Sequence, residues 1–372
     1  MRPIGQRFIM KRLIVCTSLF TALTCASHAD DSMDIQAAIR QLNDVEKSLT
    51  STAVKMQTVE KSIEHDSALQ TIYLNKSEEV RRALDCLNDK VIYGDDSRAN
   101  YYCGTAEEKR AVEGTAAFMM ASKLSPDSDP SYIAVEQTPS RLCTKEQTAS
   151  LGLPPESFYD EPETAFCSGF KVGEKLIATA GHCIPDESFC ANTKIVFGFY
   201  RSDAETEPTR IPVGNVYQCK KIVAGNYAPD TLEADWRVIE VDRPIEGRPS
   251  FLIQDRSPGT VTKNQSVTVI GYPIGMPAKI TRNASVIAVE ENYFVADSDT
   301  YGGNSGSVVV DADKLAKGEL VAKGIVVRGA RDFIRKSPCY ASNRCQKVEL
   351  GNGQCGGESS THAWLIKNAI GN

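Results

Sequence analysis

Apolar residues recur every seven positions near the start of the chain, between residues 30 and 64. The repeat is formed by Ile35, Leu42, Leu49, Met56 and Ile63, and neither Pro nor Gly interrupts it. Such a stripe predicts either a coiled coil or a long amphipathic helix packed against its own chain. Both alternatives stay open, and the coiled coil would allow self-association. Further helical patterns at residues 77–87 and 106–124 predict a helical N-terminal region over residues 30–124.

A different pattern follows this helical region. Pro, Ser and Asp cluster from residue 125 without apolar periodicity, which predicts a linker over residues 125–141. Beyond it, short apolar runs alternate with turns rich in Gly, Pro and Asn. The runs predicted as strands are residues 171–178, 193–200, 266–271, 284–289, 307–311 and 320–327. Regularly spaced short strands predict an all-β sandwich or barrel, which we place in residues 142–372.

Residues 1–29 have the features of a secretory signal peptide. Four basic residues precede an apolar core at residues 13–23, and Ser27-His28-Ala29 offers small residues at a cleavage site. The apolar core is shorter than the roughly 20 residues that a membrane-spanning helix needs. We therefore predict a secreted or periplasmic protein with no membrane span in the mature chain.

Ten of the twelve cysteines lie beyond this signal, and an even number in an exported chain predicts disulfide bonds. Proximity along the chain favours the pairs Cys86–Cys103 and Cys190–Cys219. The partners of four others stay open: Cys143, Cys339, Cys345 and Cys355. Zinc binding is the rival interpretation, but the sequence has no CxxC pair and only four histidines. We expect no metal and no cofactor.

The charge of the chain excludes one class of partner. The net charge is −6, and the signal carries four positive charges and no negative one, so its removal leaves −10. An acidic chain of this kind is not expected to bind nucleic acid.

Ser305 stands in a run of turn-forming residues, Gly302-Gly303-Asn304-Ser305-Gly306-Ser307, directly before the apolar residues 308–310. Glycines permit positive φ angles and close backbone approach, so this serine can project from a tight turn. An acyl-transfer nucleophile and its oxyanion site need that geometry. Such a run before a buried strand is more often only a turn, so the assignment depends on partners elsewhere in the chain.

A serine nucleophile needs a base, and the base needs an acid to orient it. His182 follows the apolar run at residues 176–180, and Asp235 begins an alternating strand pattern. The order along the chain is therefore His182, Asp235, Ser305, which differs from the orders found in subtilisins and α/β-hydrolases. Taken singly, His182 could be a packed structural histidine and Asp235 a turn residue.

Together, Thr179-Ala180-Gly181-His182-Cys183 and Gly303-Asn304-Ser305-Gly306-Ser307 resemble the trypsin-like serine proteases, in particular the bacterial branch that includes glutamyl endopeptidases. The resemblance covers residues 142–372. It implies two six-stranded antiparallel barrels of the chymotrypsin type, with the site in the cleft between them. It also implies a disulfide between Cys167 and Cys183.

The resemblance assigns the roles at the site. His182 would take the Ser305 proton, Asp235 would orient the imidazole, and an acyl-enzyme would form. The backbone N–H groups of Gly303 and Ser305 would bind the oxyanion. The predicted partners are protein or peptide substrates.

Substrate contacts are expected from Asp299, Val327, Arg328 and Gly329. Asp299 lies six residues before Ser305, where trypsins have the acid that binds Lys or Arg of the substrate. Arg328 would instead favour acidic side chains, or it would pair with Asp299 and favour neither. The sequence leaves this specificity open. Val327 and Gly329 would bind an extended substrate as an added strand.

Activation differs from that of trypsins in this sequence. Leu142 follows Arg141 where a trypsin would have Ile or Val, and Asn304 replaces the acid that pairs with the new N-terminus. We therefore predict activation by removal or displacement of the helical region, or activity without cleavage.

Two further function classes compete with a protease. A catalytically silent relative that serves as a binding module is disfavoured because all three triad residues are present. An α/β-hydrolase esterase would need Gly at position 307, where this chain has Ser.

Overall fold

The structure is a computed structural model, and it describes residues 97–227 and 234–371. The predicted signal, the heptad stripe and the helix at residues 77–87 lie outside the described residues, as does Cys86. Both described ranges belong to one compact unit, Asp85–Asn372. Within the described residues, no helix has the length and apolar character required to cross a membrane.

Short strands dominate the described residues. The strands are β1 Arg98–Asn100, β2 Thr115–Met120, β3 Leu124–Pro126, β4 Tyr132–Val135, β5 Cys167–Lys171, β6 Leu176–Thr179, β7 Thr193–Phe197, β8 Arg210–Pro212, β9 Val216–Asn226, β10 Trp236–Val241, β11 Leu252–Ile253, β12 Ser266–Gly271, β13 Lys279–Val289, β14 Tyr293–Ala296, β15 Val308–Asp311, β16 Val321–Arg328, β17 Phe333–Lys336, β18 Cys339–Ser342 and β19 Glu358–His362. The α-helices are α1 Ala106–Glu113, α2 Lys145–Ser150, α3 Glu187–Ala191, α4 Ala312–Leu315 and α5 Lys367–Ile370.

Six strands close the first barrel in the order β10-β6-β5-β2-β7-β9. All its neighbouring strands are antiparallel. Its interior is filled by side chains with no exposed surface, including Phe118, Phe170, Ile177 and Val238. Burial of this apolar surface stabilises the barrel and fixes which face of each strand points inward.

The second barrel closes because β14 pairs with both β13 and β19. The ring runs β13-β12-β15-β16-β19-β14 and back to β13, again antiparallel. Strands β1 and β11 pair with β13 and β16 as additions to this ring. The predicted pair of six-stranded antiparallel barrels is therefore confirmed.

The predicted boundary between the helical region and the β domain is wrong. Helix α1 does begin at residue 106, where Thr105 and Glu108 form a capping box, but it ends at Glu113. Strand β2, predicted as helix, pairs with β5 and β7 inside the first barrel. Strand β4 and the last two residues of β3 lie in the predicted linker. The β domain thus begins well before residue 142, since a barrel strand lies upstream of it.

Four disulfides lie within the described residues: Cys143–Cys339, Cys167–Cys183, Cys190–Cys219 and Cys345–Cys355. The predicted pairs Cys167–Cys183 and Cys190–Cys219 are confirmed. Cys103 is also disulfide-bonded, and its predicted pairing with Cys86 stays a prediction. The disulfide from Cys143 joins the segment between β4 and β5 to strand β18, so it fastens the C-terminal region to the first half of the β domain.

The position of β2 yields a test of the domain boundary. A chain reduced to residues 142–372 lacks a strand from the middle of the first barrel and leaves the edges of β5 and β7 unpaired. We expect this fragment to show no cooperative thermal unfolding by near-ultraviolet circular dichroism, whereas residues 85–372 unfold cooperatively. Equal cooperativity of the two fragments would contradict a boundary upstream of β2.

Candidate active site

His182 is placed at the end of a strand of the first barrel. It lies in a single 3₁₀ turn, Gly181–Cys183, shortly after β6 ends at Thr179. Asp235 directly precedes β10, and β10 pairs with β6 so that Arg237 lies opposite Thr179. Pairing of adjacent strands therefore brings together two residues that are 53 positions apart in sequence.

The carboxylate of Asp235 contacts His182 twice. Its Oδ2 lies 2.6 Å from the imidazole Nδ1, and its Oδ1 accepts a hydrogen bond of 3.1 Å from the backbone N–H of His182. The aspartate is buried, whereas 30% of the histidine side chain stays exposed. This arrangement fixes the Nδ1–H tautomer and leaves Nε2 directed away from the carboxylate, where a base can act.

Neighbouring residues make this contact possible. A side chain at Gly181 would put a Cβ 2.6 Å from Asp235 Oδ1 and 2.5 Å from the carbonyl oxygen of Asn226, so only glycine fits. The hydroxyl of Thr361, on β19 of the second barrel, donates to the Asp235 carbonyl at 3.0 Å. The backbone of Asp235 is thereby held by both barrels.

Ser305 reaches the same place from the second barrel. Its carbonyl oxygen accepts a hydrogen bond of 2.8 Å from the Ser168 N–H and lies 3.4 Å from Cys183 Sγ, in the residue next to His182. The structure gives no hydrogen bond between the hydroxyl of Ser305 and the imidazole of His182, both within its described part. Catalytic hydrogen bonds are often long in an unliganded site. These backbone contacts place the turn that contains Ser305 (residues 301–307, the serine turn) beside the turn that contains His182 (Gly181–Cys183).

Four of the six backbone N–H groups at residues 302–307 are hydrogen-bonded within the part of the protein that the structure describes, and two are not. Those of Gly302, Asn304, Gly306 and Ser307 all donate hydrogen bonds, to Asp332, Tyr301, Val326 and Asn304 respectively. Those of Gly303 and Ser305 donate none within the described residues, and both residues are half-buried. The turn therefore presents two N–H groups to an incoming acceptor.

A glycine is required at position 303 for this turn. Its φ is +94°, in the region that favours glycine, and an added Cβ would lie within 2.9 Å of the backbone of residues 272, 274 and 275.

Ser168 on β5 is a functional residue that the sequence did not reveal. Its fully buried hydroxyl donates to the Gly303 carbonyl at 2.9 Å and accepts from the Tyr272 N–H at 3.0 Å. The hydroxyl thus fixes the turn before the nucleophile. No signal in a single sequence marks this serine, because its partners are more than 100 positions away.

Asn304, which stands in place of the pairing acid, is buried and bonded locally. Its Oδ1 accepts from the Ser307 hydroxyl at 2.9 Å, and its Nδ2 has no hydrogen-bond partner among the described residues. The side chain braces the turn from inside through this bond.

The predicted substrate-contact residues lie near the serine turn. Val326, which precedes Val327, accepts the N–H of Gly306, so the end of β16 adjoins the turn. Asp299 is buried, and its Oδ2 accepts from the N–H and hydroxyl of Ser97 at 2.9 and 2.6 Å. These contacts give Asp299 a structural role. Its predicted contact with substrate, and those of Val327, Arg328 and Gly329, stay predictions.

Two acids that were not singled out in the sequence also lie here. The carboxyl of buried Glu358 accepts from the Thr300 hydroxyl at 2.6 Å, and a Cβ on Gly329 would lie only 2.0 Å from it. Burial raises the pKa of Glu358 to about 8. Burial also raises the pKa of Asp332 to about 6, although the hydrogen bond from the Gly302 N–H and the charge of Arg98 lower it.

One group of side chains has the ligand types that zinc prefers. The sulfur atoms of Cys167 and Cys183 and a nitrogen of His182 lie within 4.8 Å of one another. Both sulfurs are joined in a disulfide, so neither is a thiolate that could bind a metal.

Comparison with known families agrees with this geometry. Residues 167–322 match the trypsin-like peptidase domain. The matched stretch contains His182, Asp235 and Ser305. It confirms the predicted resemblance to trypsin-like serine proteases.

Two relatives share part of their sequence with the chain. Glutamyl endopeptidase of Bacillus licheniformis is 29% identical over 151 residues, which make up 39% of this chain and 45% of that protein. The serine proteinase stubble of Drosophila melanogaster is 30% identical over 125 residues, 34% of this chain and 14% of that protein. The chain thus spans less than half the length of either relative. A solved structure of a Glu endopeptidase in complex with MPD gives a TM-score of 0.44 at 15% identity, covering 76% of this chain and 100% of that one.

The raised pKa of Glu358 predicts how stability depends on pH. Between the ordinary value of 4.5 and about 8, the folded chain holds a proton on Glu358 that the unfolded chain has released. The free energy of unfolding should therefore fall as pH rises through this range. In Glu358→Gln, which cannot ionise, we expect a shallower fall in urea-unfolding measurements from pH 5 to 9. The exposed Glu246→Gln should follow the wild type, and identical slopes in all three proteins would contradict the assignment.

Proposed function

We propose that this protein is a serine endopeptidase that cleaves peptide bonds through His182, Asp235 and Ser305. The observation that carries the proposal is that the Asp235–His182 pair lies beside the turn that contains Ser305. An imidazole held at Nδ1 by a buried carboxylate adjoins a serine turn with two unpaired backbone N–H groups among the described residues. Base, orienting acid, nucleophile and oxyanion donors are the parts that acyl transfer requires.

The chemistry assigns one step to each group. Ser305 Oγ attacks the substrate carbonyl while His182 Nε2 accepts its proton. The imidazolium that forms is stabilised by Asp235, which lies 2.6 Å from Nδ1. His182 then gives the proton to the leaving amine, and an acyl-enzyme on Ser305 remains. Water, activated by the same imidazole, hydrolyses the acyl-enzyme and restores the serine.

The turn before the nucleophile would stabilise the transition state. The N–H groups of Gly303 and Ser305 would donate to the oxyanion that develops on the substrate carbonyl. Because the surrounding N–H groups are already bonded within the protein, the turn needs no rearrangement to offer these two. Loss of one such donor typically costs about 10²–10³ in rate.

Substrate would bind in extended form along the end of β16, where Val327 and Gly329 offer backbone groups to an added strand. Glu358 lies against Gly329, and Asp332 bonds to Gly302. A second carboxylate brought to this place by a substrate would be repelled when these acids are ionised. We therefore propose that acidic side chains are disfavoured before the cut above about pH 8, where Glu358 and Asp332 are both ionised, in contrast to what the name of the Bacillus relative indicates for that protein.

Export to an oxidising compartment is part of the proposal. Four disulfides within the described residues support a secreted or periplasmic location, since such bonds persist outside reducing cytosol. The predicted signal at residues 1–29 would direct the export. A silent binding module remains the alternative, and no substitution in the triad favours it.

The triad is tested by active-site labelling. Wild type should react with a fluorophosphonate probe, and Ser305→Ala and His182→Ala should not. Asp235→Asn should label slowly and lower kcat on a peptide substrate by about 10⁴-fold, because the imidazole would adopt the wrong tautomer. Ser188→Ala, at an exposed serine of α3, is the matched control and should label. Labelling that survives in Ser305→Ala would exclude this serine as the nucleophile.

The specificity proposal is tested by digestion of a peptide library. Wild type should cut rarely after Glu or Asp at pH 9, above the pKa of about 8 for Glu358. Glu358→Gln removes the repelling charge and should raise the share of cuts after acidic residues. Frequent cleavage after Glu by the wild type would contradict the proposal while leaving the triad intact.

A further inference from the structure

A short strand ahead of the barrels lies against the second one. Strand β1 adds to the edge of β13, with Arg98 opposite Thr281 and Asn100 opposite Lys279. The Ser97 carbonyl accepts the N–H of Arg282 at 3.1 Å and extends this pairing by one hydrogen bond.

The residue before β1 holds Asp299, six residues before the proposed nucleophile. Ser97 donates both its N–H and its hydroxyl to Asp299 Oδ2, at 2.9 and 2.6 Å. The hydroxyl of Thr281, on β13, donates to the Asp299 carbonyl at 3.3 Å. Both the side chain and the backbone of Asp299 are therefore fixed by the two paired segments.

Arg98 supports the residues that follow Asp299. The side chain is buried, and its guanidinium lies 4.3 Å from the centre of the Tyr301 ring and 5.3 Å from that of Phe158. Its positive charge lowers the pKa of Asp332, whose carboxylate accepts the N–H of Gly302. The Tyr301 carbonyl in turn accepts the N–H of Asn304. Arg98 thus contacts Tyr301 directly and acts on Gly302 through the carboxylate of Asp332.

A buried guanidinium is costly unless aromatic rings and carboxylates compensate for its lost hydration. Here Tyr301 belongs to the serine turn and Asp332 bonds to it directly. The same contacts that make burial of Arg98 tolerable therefore resist movement of that turn.

We propose that Ser97 and Arg98 are positioning residues that hold residues 299–303 in the conformation of the oxyanion site. The inference rests on the proposed function. Trypsins fix the corresponding region with a newly cut N-terminus, which pairs with an acid where this chain has Asn304. Here the internal strand β1 supplies the buried positive charge through Arg98. Activity therefore depends on β1 and does not depend on cleavage at Arg141.

The experiment compares two arginines that both join the N-terminal residues to the second barrel. Arg98→Ala removes the support beneath the serine turn. Arg282→Ala is the matched control, because the Arg282 guanidinium donates to Glu108 of α1 and to the Cys103 carbonyl, both away from the serine turn in sequence and in bonding. Arg98→Lys keeps the charge and loses the flat guanidinium that lies over the rings.

Arg98→Ala should lower kcat by about tenfold or more and weaken a peptide aldehyde inhibitor by the same factor, since both depend on the oxyanion site. KM should change little. Arg282→Ala should lower the thermal midpoint while kcat stays at the wild-type value, and Arg98→Lys should recover part of the loss. If Arg98→Ala does not fold, Ser97→Ala provides the milder test with the same expected direction.

Hydrogen–deuterium exchange gives a readout that needs no activity. The N–H groups of Gly302 and Asn304 should exchange about tenfold faster in Arg98→Ala than in the wild type, and at the wild-type rate in Arg282→Ala. Equal kcat and equal exchange in the two alanine variants would overturn the inference. A wild type that does not label with the probe would reject the proposed function, and exchange alone would then decide whether β1 holds the turn.

Discussion

The hydroxyl of Ser168 connects the two barrels at the turn that carries the nucleophile candidate. It is fully buried on β5, and it joins the Gly303 carbonyl to the Tyr272 N–H of the second barrel. The backbone N–H of the same residue binds the Ser305 carbonyl, and its own carbonyl accepts from the Thr179 hydroxyl at 2.7 Å. Thr179 ends the strand that leads to His182. One residue thus links the strand before the histidine to the turn that holds the serine, and a displacement of either barrel would separate them.

Much of the site could be predicted from the sequence because its signals are local. His182 and Ser305 each stand in a run of small residues whose backbone conformations leave few alternatives, and the glycines at 181 and 303 prove to be sterically required. The pair Cys167–Cys183 followed from the family resemblance. By contrast, Cys143 and Cys339 are 196 positions apart, and nothing local selects that pairing over others.

The start of the β domain could not be predicted for a physical reason. The segment Thr115–Met120 reads Thr-Ala-Ala-Phe-Met-Met, and alanine and methionine favour helix in isolation. Hydrogen bonds to strands on both sides override this weak preference, and those strands, β5 and β7, come much later in the chain. Arg98 and Glu358 could not be identified from the sequence either. Arg98 contacts Tyr301 and Glu358 lies against Gly329, and only the fold brings these residues together.

The order of the strands also has a consequence for biogenesis. All six strands of the first barrel lie between residues 115 and 241, whereas the second barrel is complete only with β19, at residues 358–362. A chain that emerges N-terminus first can assemble the histidine half while the serine half is still being synthesised. The last strand closes the second barrel and supplies Thr361 to the backbone of Asp235. The proposed activity would therefore have to wait until residues 358–362 have emerged and closed the second barrel.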